Sequence, residues 1–328
     1  MSILLLYSDF SRGVVDYTKK LHENVLACND PLVCLPVFNQ MSQDQARSSI
    51  SLILNSYNYN AVHLQYDCNV FKSSDCDYEN FENLAWFISH VKDKGCDVII
   101  TLHGKLGHEI DTDGNFADRW FRKILRRLFS KKVVPMLNMC KIIVHSHDHL
   151  HEISLSGINN IHVIPDVLVK HNLTAADQLD TNQVKLVIPG QRSDYKAYTE
   201  ALEIVRKLPE QYILYMCDSP KGGSWSDDSI FKAIRDKGLQ DRVFLIQFSD
   251  NKQDYLDQLS LFDVALLPYV GSAPLCGSLN DCLSVGLLCV TNNTPEFRNF
   301  NQSYNCTIFT DCIHDFDIKI LEVCLLYT

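Results

Sequence analysis

The sequence predicts a doubly wound α/β protein with two halves of similar build. Short β-rich runs alternate with amphipathic helical stretches along the whole 328-residue chain, the pattern of parallel sheets covered by helices. The alternation lapses over residues 165–182, where periodicity is lost and Asp, Asn and Thr gather as in a linker. Late in the chain, the stretch from Pro268 to Asp281 joins a continuous apolar strand to a helix through small residues and a carboxylate, a junction suited to holding an anion. A chain of this length exceeds one ordinary core, so two domains are expected. They are an N-terminal domain over 1–168, a linker over 169–182 and a C-terminal domain over 183–328.

In the first half, strands are expected at Ile3 to Tyr7, Leu32 to Pro36, Ala61 to Gln65, Val98 to His103, Ile142 to His145 and Ile161 to Ile164. A helix from Val14 to Leu26 follows an Arg12-Gly13 turn, and another runs from Glu79 to Lys92. The second half opens with strand Val184 to Ile188 and helix Tyr195 to Lys207, then strand Tyr212 to Cys217 and helix Asp228 to Lys237. Strand Val243 to Gln247, helix Asp254 to Leu261 and strand Phe262 to Leu267 come next. Gly277 and Ser278 then open a helix over Leu279 to Val285, whose first N–H groups lack intrahelical partners and whose dipole is positive at that end. Gly286 stands where a helix C-terminus favours glycine, ahead of strand Leu287 to Thr291.

Composition narrows the function. Apolar content near half describes a globular chain, and a net charge of −10 argues against wholesale nucleic-acid binding. The opening residues have no basic segment and too short an apolar run for a signal peptide, and no later stretch reaches membrane-spanning length. The cytosol is the expected location. Thirteen cysteines, with no C-x-x-C pair and mostly inside apolar runs, point to reduced structural thiols rather than disulfides or zinc. Four Asn-x-Ser/Thr matches, beginning at Asn172, Asn292, Asn301 and Asn305, are read as accidents of an asparagine-rich chain. His145, His147 and His149 alternate from a strand edge into a helix start, which is poor spacing for a metal, so no metal is expected.

Candidate chemistry gathers at three places. Pro189-Gly190-Gln191-Arg192-Ser193-Asp194-Tyr195-Lys196 leaves the first strand of the second half and enters a helix. Arg192 and Lys196 there could neutralise a diphosphate, Arg192 bidentately; equally, they sit four apart as two cations on a solvated helix face would. Cys276-Gly277-Ser278-Leu279-Asn280-Asp281 forms the helix start already described. In the first half, Asp9-Phe10-Ser11-Arg12-Gly13-Val14, Val62-His63-Leu64-Gln65-Tyr66 and Thr101-Leu102-His103-Gly104 lie at strand ends.

These motifs resemble the retaining, nucleotide-sugar glycosyltransferases of the glycogen-synthase-like class. In that family a Gly-Arg turn followed by Lys opens the C-terminal domain. The resemblance implies a GT-B fold, two Rossmann-like doubly wound domains facing each other across a cleft. It implies that Gly190, Arg192 and Lys196 hold a donor diphosphate, that Gly277, Ser278 and Leu279 meet it through backbone N–H groups, and that Asp281 accepts the ribose hydroxyls. Gly13 is similar to the glycine turn that approaches the substrates, His103 to the histidine that contacts the transferred sugar, and Gln247 and Phe248 fall near the base pocket. The sequence departs from the family at Ala273, where a glutamate usually faces the sugar, and in stopping soon after the last expected strand.

The run from Arg119 to Lys132 carries seven positive charges and no acid, with apolar residues at 120, 121, 124, 125, 128 and 129. A basic amphipathic helix of this kind suits an anionic membrane surface or a lipid-phosphate acceptor. It equally suits a helix whose apolar face packs on its own sheet. The reading is a metal-independent, retaining glycosyltransferase of the hexosyltransferase type, without a cofactor. It takes a nucleotide sugar with UDP or GDP as carrier, and its acceptor is a glycan hydroxyl, lipid-linked or at a membrane surface. The alternatives are a non-catalytic accessory subunit and a nucleotide-sugar epimerase of the same fold.

Overall fold

The structure is a computed structural model. It describes residues 2–7, 12–24, 31–35, 43–67, 70–71, 77–103, 127, 129–165, 183–190, 194–217, 226–270, 277–294, 297–298, 300–301, 307–310 and 315–327. The chain divides into two compact units, Met1–Val167 and Leu168–Thr328.

The first unit is a six-stranded sheet in the order β2-β1-β3-β4-β5-β6, from β1 (Ile3–Tyr7), β2 (Leu32–Cys34), β3 (Ala61–Tyr66), β4 (Asp97–Leu102), β5 (Lys141–Val144) and β6 (Ile161–Val163). Every neighbouring pair is parallel. Parallel strands are buried on both faces, so their residues sort by parity. Leu4, Leu6, Val62, Leu64, Val98 and Ile100 join the main core with helix α3 (Asp77–Asp93), while Leu5 packs on the other face against Tyr17 and Leu21 of helix α1 (Arg12–Asn24). The α1 helix begins at Arg12, so Gly13 stands in its first turn and not in a preceding turn. Helix α2 (Gln43–Ser56) was not expected; polar residues crowd its start and only Ala46, Ile50 and Leu54 form a buried stripe four apart. A short helix α4 (Val134–Leu137) follows a π turn at Phe129–Val133. Helix α5 (His147–Leu155) is capped by the Ser146 hydroxyl, which accepts from the His149 N–H at 3.1 Å.

The second unit is also six-stranded and parallel, in the order β12-β11-β10-β7-β8-β9. Its strands are β7 (Val184–Ile188), β8 (Tyr212–Cys217), β9 (Val243–Ile246), β10 (Val264–Leu267), β11 (Leu288–Asn292) and β12 (Ile308–Thr310). Helices α6 (Tyr198–Lys207) and α7 (Asp227–Asp236) contribute to the core of one face, together with a final helix α10 (Phe316–Tyr327). Helices α8 (Lys252–Leu259) and α9 (Gly277–Ser284) cover the other. The α8 helix starts two residues before the expected Asp254, because Asn251 caps it and accepts from the N–H groups of Gln253 and Asp254.

The last strand and helix were likewise not expected. β12 is only three residues long, and α10 is apolar nearly throughout, so neither carries a clear period. Gly286, with φ +74°, ends α9 as foreseen. Its N–H meets Leu283 O at 3.0 Å and the Leu287 N–H meets Cys282 O at 2.9 Å, the paired bonds of a left-handed glycine stop.

Candidate functional site

In an open parallel sheet, the strand order reverses at one point, and the carboxyl ends of the two strands flanking it diverge to leave a crevice. In the second unit that point lies between β7 and β10, which pair Leu186 with Val264 and Val187 with Ala265. Gly190 follows β7 with φ +73°, a conformation that favours glycine. The next described residues form a 3₁₀ turn, Asp194–Lys196, and the Val270 N–H donates to Tyr195 O at 2.8 Å, tying the exit from β10 to that turn. Tyr195 and Tyr269 pack edge to face with centroids 5.0 Å apart.

Lys196 and Ser278 converge over Gly190. A Cβ on this glycine would stand 2.9 Å from Ser278 Oγ and 3.1 Å from Lys196 Nζ. Lys196 is 1% exposed, and its ammonium donates to Pro189 O at 2.5 Å. Ser278 is the second residue of α9, so the hydroxyl sits at the positive end of an eight-residue helix. A buried cation, a hydroxyl and a helix start thus share one small space bounded by bare backbone. That is the chemistry of an anion seat. Gly277 is exposed at the helix start, whereas the Leu279 side chain belongs to the core beneath. Arg192 lies outside the described residues.

One turn into α9, Asp281 is 8% exposed, and Lys252 Nζ reaches both of its carboxylate oxygens at 2.8 Å. Lys252, the first residue of α8, also lies 5.3 Å from the Tyr255 ring centroid. Beside Asp281, burial pushes the Cys282 thiol far up its range, aided by a hydrogen bond with Cys289, so it stays a neutral core thiol. Gln247 is exposed after β9, while Phe248 turns inward against Tyr255 and Phe262, with centroids 5.2 and 6.3 Å away. Both sequence-expected base-pocket residues therefore lead into α8, which supplies Lys252. The sequence reading missed Lys252, because its partner lies 29 residues further on and in another helix.

In the first unit the sequence-expected histidine stands in a polar file. β3 and β4 pair Gln65 with Thr101, and the His103 N–H continues the ladder to Tyr66 O at 2.9 Å. Parity then places His63, Gln65, Thr101 and His103 on one face. His103 Nε2 lies 2.7 Å from Gln65 Oε1, Gln65 Nε2 lies 3.1 Å from His63 Nε2, and His63 Nε2 lies 2.8 Å from Thr101 Oγ1. Tyr17 of α1 packs edge-on to His103 at 4.7 Å and to His145 at 5.0 Å. Burial holds His103 well below the usual imidazole range, and His145, His63 and His149 add to that. Burial and then His145 lower His63 to about 4. The alternation His63, Gln65, Thr101, His103 was the available signal for this file.

The basic run from Arg119 falls largely outside the described residues. At its end Phe129 is buried against Phe81 with centroids 5.1 Å apart, while Lys132 stays exposed and pairs with Glu82 of α3 at 2.6 Å. Among the described residues, no group of three or more His, Cys, Asp or Glu side chains could hold a metal ion, and no helix is long and apolar enough to cross a membrane.

No protein-family model and no curated protein sequence matches the chain. Solved structures do. A structure of Anabaena Alr3699/HepE in complex with UDP aligns with 99% of this chain and 90% of its own, with a TM-score of 0.69 and 14% identity. Sucrose-phosphate synthase (tll1590) from Thermosynechococcus elongatus aligns over the same shares, with a TM-score of 0.67 and 13% identity. The lipopolysaccharide outer core galactosyltransferase WaaB, in its apo form, aligns with 97% of this chain and 88% of its own, with a TM-score of 0.60 and 13% identity. The chain has the GT-B glycosyltransferase fold that these structures share.

Proposed function

We propose that the protein is a glycosyltransferase that moves a sugar from a nucleoside diphosphate carrier to an acceptor hydroxyl. The observation that carries this reading is the convergence of Lys196 Nζ and Ser278 Oγ over the bare face of Gly190, at the start of α9 and at the strand-order reversal. A leaving diphosphate gains negative charge as the glycosidic bond breaks. A fixed ammonium, a hydroxyl and a helix start stabilise that charge without reorganising. Arg192 adds a second cation to the same diphosphate, and the set does this work without a metal.

Retention at the anomeric carbon follows if the leaving phosphate oxygen takes the acceptor proton on the face from which it departs. Asp281 is the group for the ribose hydroxyls, with Gly277 and Leu279 offering backbone N–H groups to the phosphates. Gly13 and His103 serve the sugar, and Gln247 and Phe248 the base. HepE was solved with UDP-glucose and with UDP plus glucose, which makes a UDP-sugar the first donor to try. The acceptor is a glycan hydroxyl, and the basic run from Arg119 to Lys132 suits one carried on a lipid or at an anionic surface. Its place in the cell is the cytoplasm, with that run as the membrane-facing element.

The test is hydrolysis and transfer from a panel of UDP, GDP and ADP sugars by the full chain and by Lys196→Met. Slow release of sugar from one donor, abolished in the variant, supports the reading. A second reading, a non-catalytic GT-B protein, is favoured by one observation: Lys252 already takes both oxygens of Asp281. Inertness toward every donor, together with no thermal shift by UDP, GDP or ADP, selects that reading.

A further inference from the structure

The file on β3 and β4 has a direction. An amide nitrogen only donates and an amide oxygen only accepts. Gln65 Nε2 faces His63 Nε2 at 3.1 Å, so that ring nitrogen offers a lone pair and His63 carries its proton on Nδ1. With that nitrogen bare, the Thr101 hydroxyl at 2.8 Å is a second donor that shares its single lone pair in a three-centre bond. Gln65 Oε1 then points at His103 Nε2 from 2.7 Å, which requires a proton there. Gln65 and Thr101 are both fully buried, so water does not compete for these bonds.

We propose that Gln65 is a positioning residue that holds His103 in one tautomer, protonated on Nε2 and bare on Nδ1, so that this histidine meets a sugar hydroxyl as a hydrogen-bond acceptor. The consequence for the sugar rests on the glycosyltransferase reading; the tautomer does not. The titratable groups facing His103 among the described residues are His145 after β5, His63 on β3, His149 on α5 and the Tyr17 phenol on α1. The His145 Nδ1–H donates to Ile164 O at 2.9 Å, which fixes the orientation of that ring beside His103. With the His103 ring neutral, one proton remains to be placed, and the Gln65 amide oxygen places it.

The experiment is long-range ¹H–¹⁵N correlation on histidine-labelled full-length protein at neutral pH, with the His103 signals assigned by their loss in His103→Asn. The expected result is a single Nε2–H tautomer for His103 in the unaltered protein and a mixture of tautomers in Gln65→Leu. Gln65→Glu places a carboxylate against the same nitrogen and raises the His103 titration midpoint by about 1–3 pH units. An Nδ1–H tautomer in the unaltered protein overturns the proposal, whether or not any variant folds. So does an unchanged single tautomer in a folded Gln65→Leu. In turnover of the nucleotide sugar, Gln65→Leu lowers kcat by about tenfold or more with little change in KM, as when the orienting partner of a working imidazole is lost. If no nucleotide sugar turns over at all, the function reading fails, while the tautomer result stands on its own.

Discussion

Lys252 at the start of α8 holds Asp281 on α9 by both carboxylate oxygens, each 2.8 Å from the ammonium. The contact joins the two helices that cover one face of the second sheet and fixes the rotamer of the only acid within the first turn and a half of α9. With Lys252 about a third exposed and Asp281 mostly buried, the pair is stronger than a surface ion pair and open enough to exchange partners. A double-mutant cycle with Lys252→Met and Asp281→Asn should return a coupling of about 1–2 kcal/mol in urea unfolding. A coupling indistinguishable from zero would show that the two side chains do not depend on each other in solution.

Lys196→Met should keep the fold, since the aliphatic stem occupies the same buried space, yet lower donor turnover by about 100-fold or more. Steady-state kinetics beside thermal unfolding separates the two effects. A variant with near-normal turnover and normal stability removes Lys196 from the donor seat.

Gly190→Ala should be harmful twice over. Its backbone lies in the left-handed region at φ +73°, where a Cβ costs about 1–2 kcal/mol. The added carbon would also press on Ser278 Oγ and Lys196 Nζ. Unfolding stability should fall by about that amount, and affinity for the nucleoside diphosphate by tenfold or more, measured by calorimetry. Unchanged affinity would place the ligand away from this glycine.

Acid should loosen the first unit. His63 titrates at about 4 in the folded chain, against an ordinary 6.5. Below 6.5 the unfolded chain takes up a proton that the folded chain refuses, so stability is full above that pH and falls as pH drops toward 4. Over this window the loss is on the order of 3 kcal/mol for His63. His103, also held neutral by burial, extends the loss in the same direction. Unfolding midpoints followed from pH 7 to 4 should fall, and His63→Asn should flatten the slope. A stability that is level across this range contradicts the assignment.

Much of this was legible in the sequence because it depends on local rules. The apolar runs of β7 and β10, the glycine after β7 and the glycine that stops α9 each encode their geometry within a few residues. Lys196 and Ser278 could be named from their positions after those strands. Their meeting over Gly190 could not, because it depends on which strands become neighbours. The same holds for Gln65: its spacing from His63 was visible, but its role depends on the register that sets it beside Thr101. Lys252 was hidden by distance along the chain. Helix α2 was hidden by a three-residue buried stripe, β12 by shortness, and α10 by apolar residues that so outnumber Asp317, Lys319 and Glu322 that no face stands out.

The two sheets differ in one respect with a practical outcome. Counted from its own first strand, the first sheet runs 2-1-3-4-5-6 and the second runs 6-5-4-1-2-3. One strand stands on the short wing of the first, and two stand on that of the second. Overlaying the halves by their leading strands would leave one strand without a counterpart on each wing and shift the numbering of every strand across the reversal. Residue roles therefore do not carry over from one half to the other by simple repetition, and hybrids built by exchanging halves would have to be joined outside both sheets.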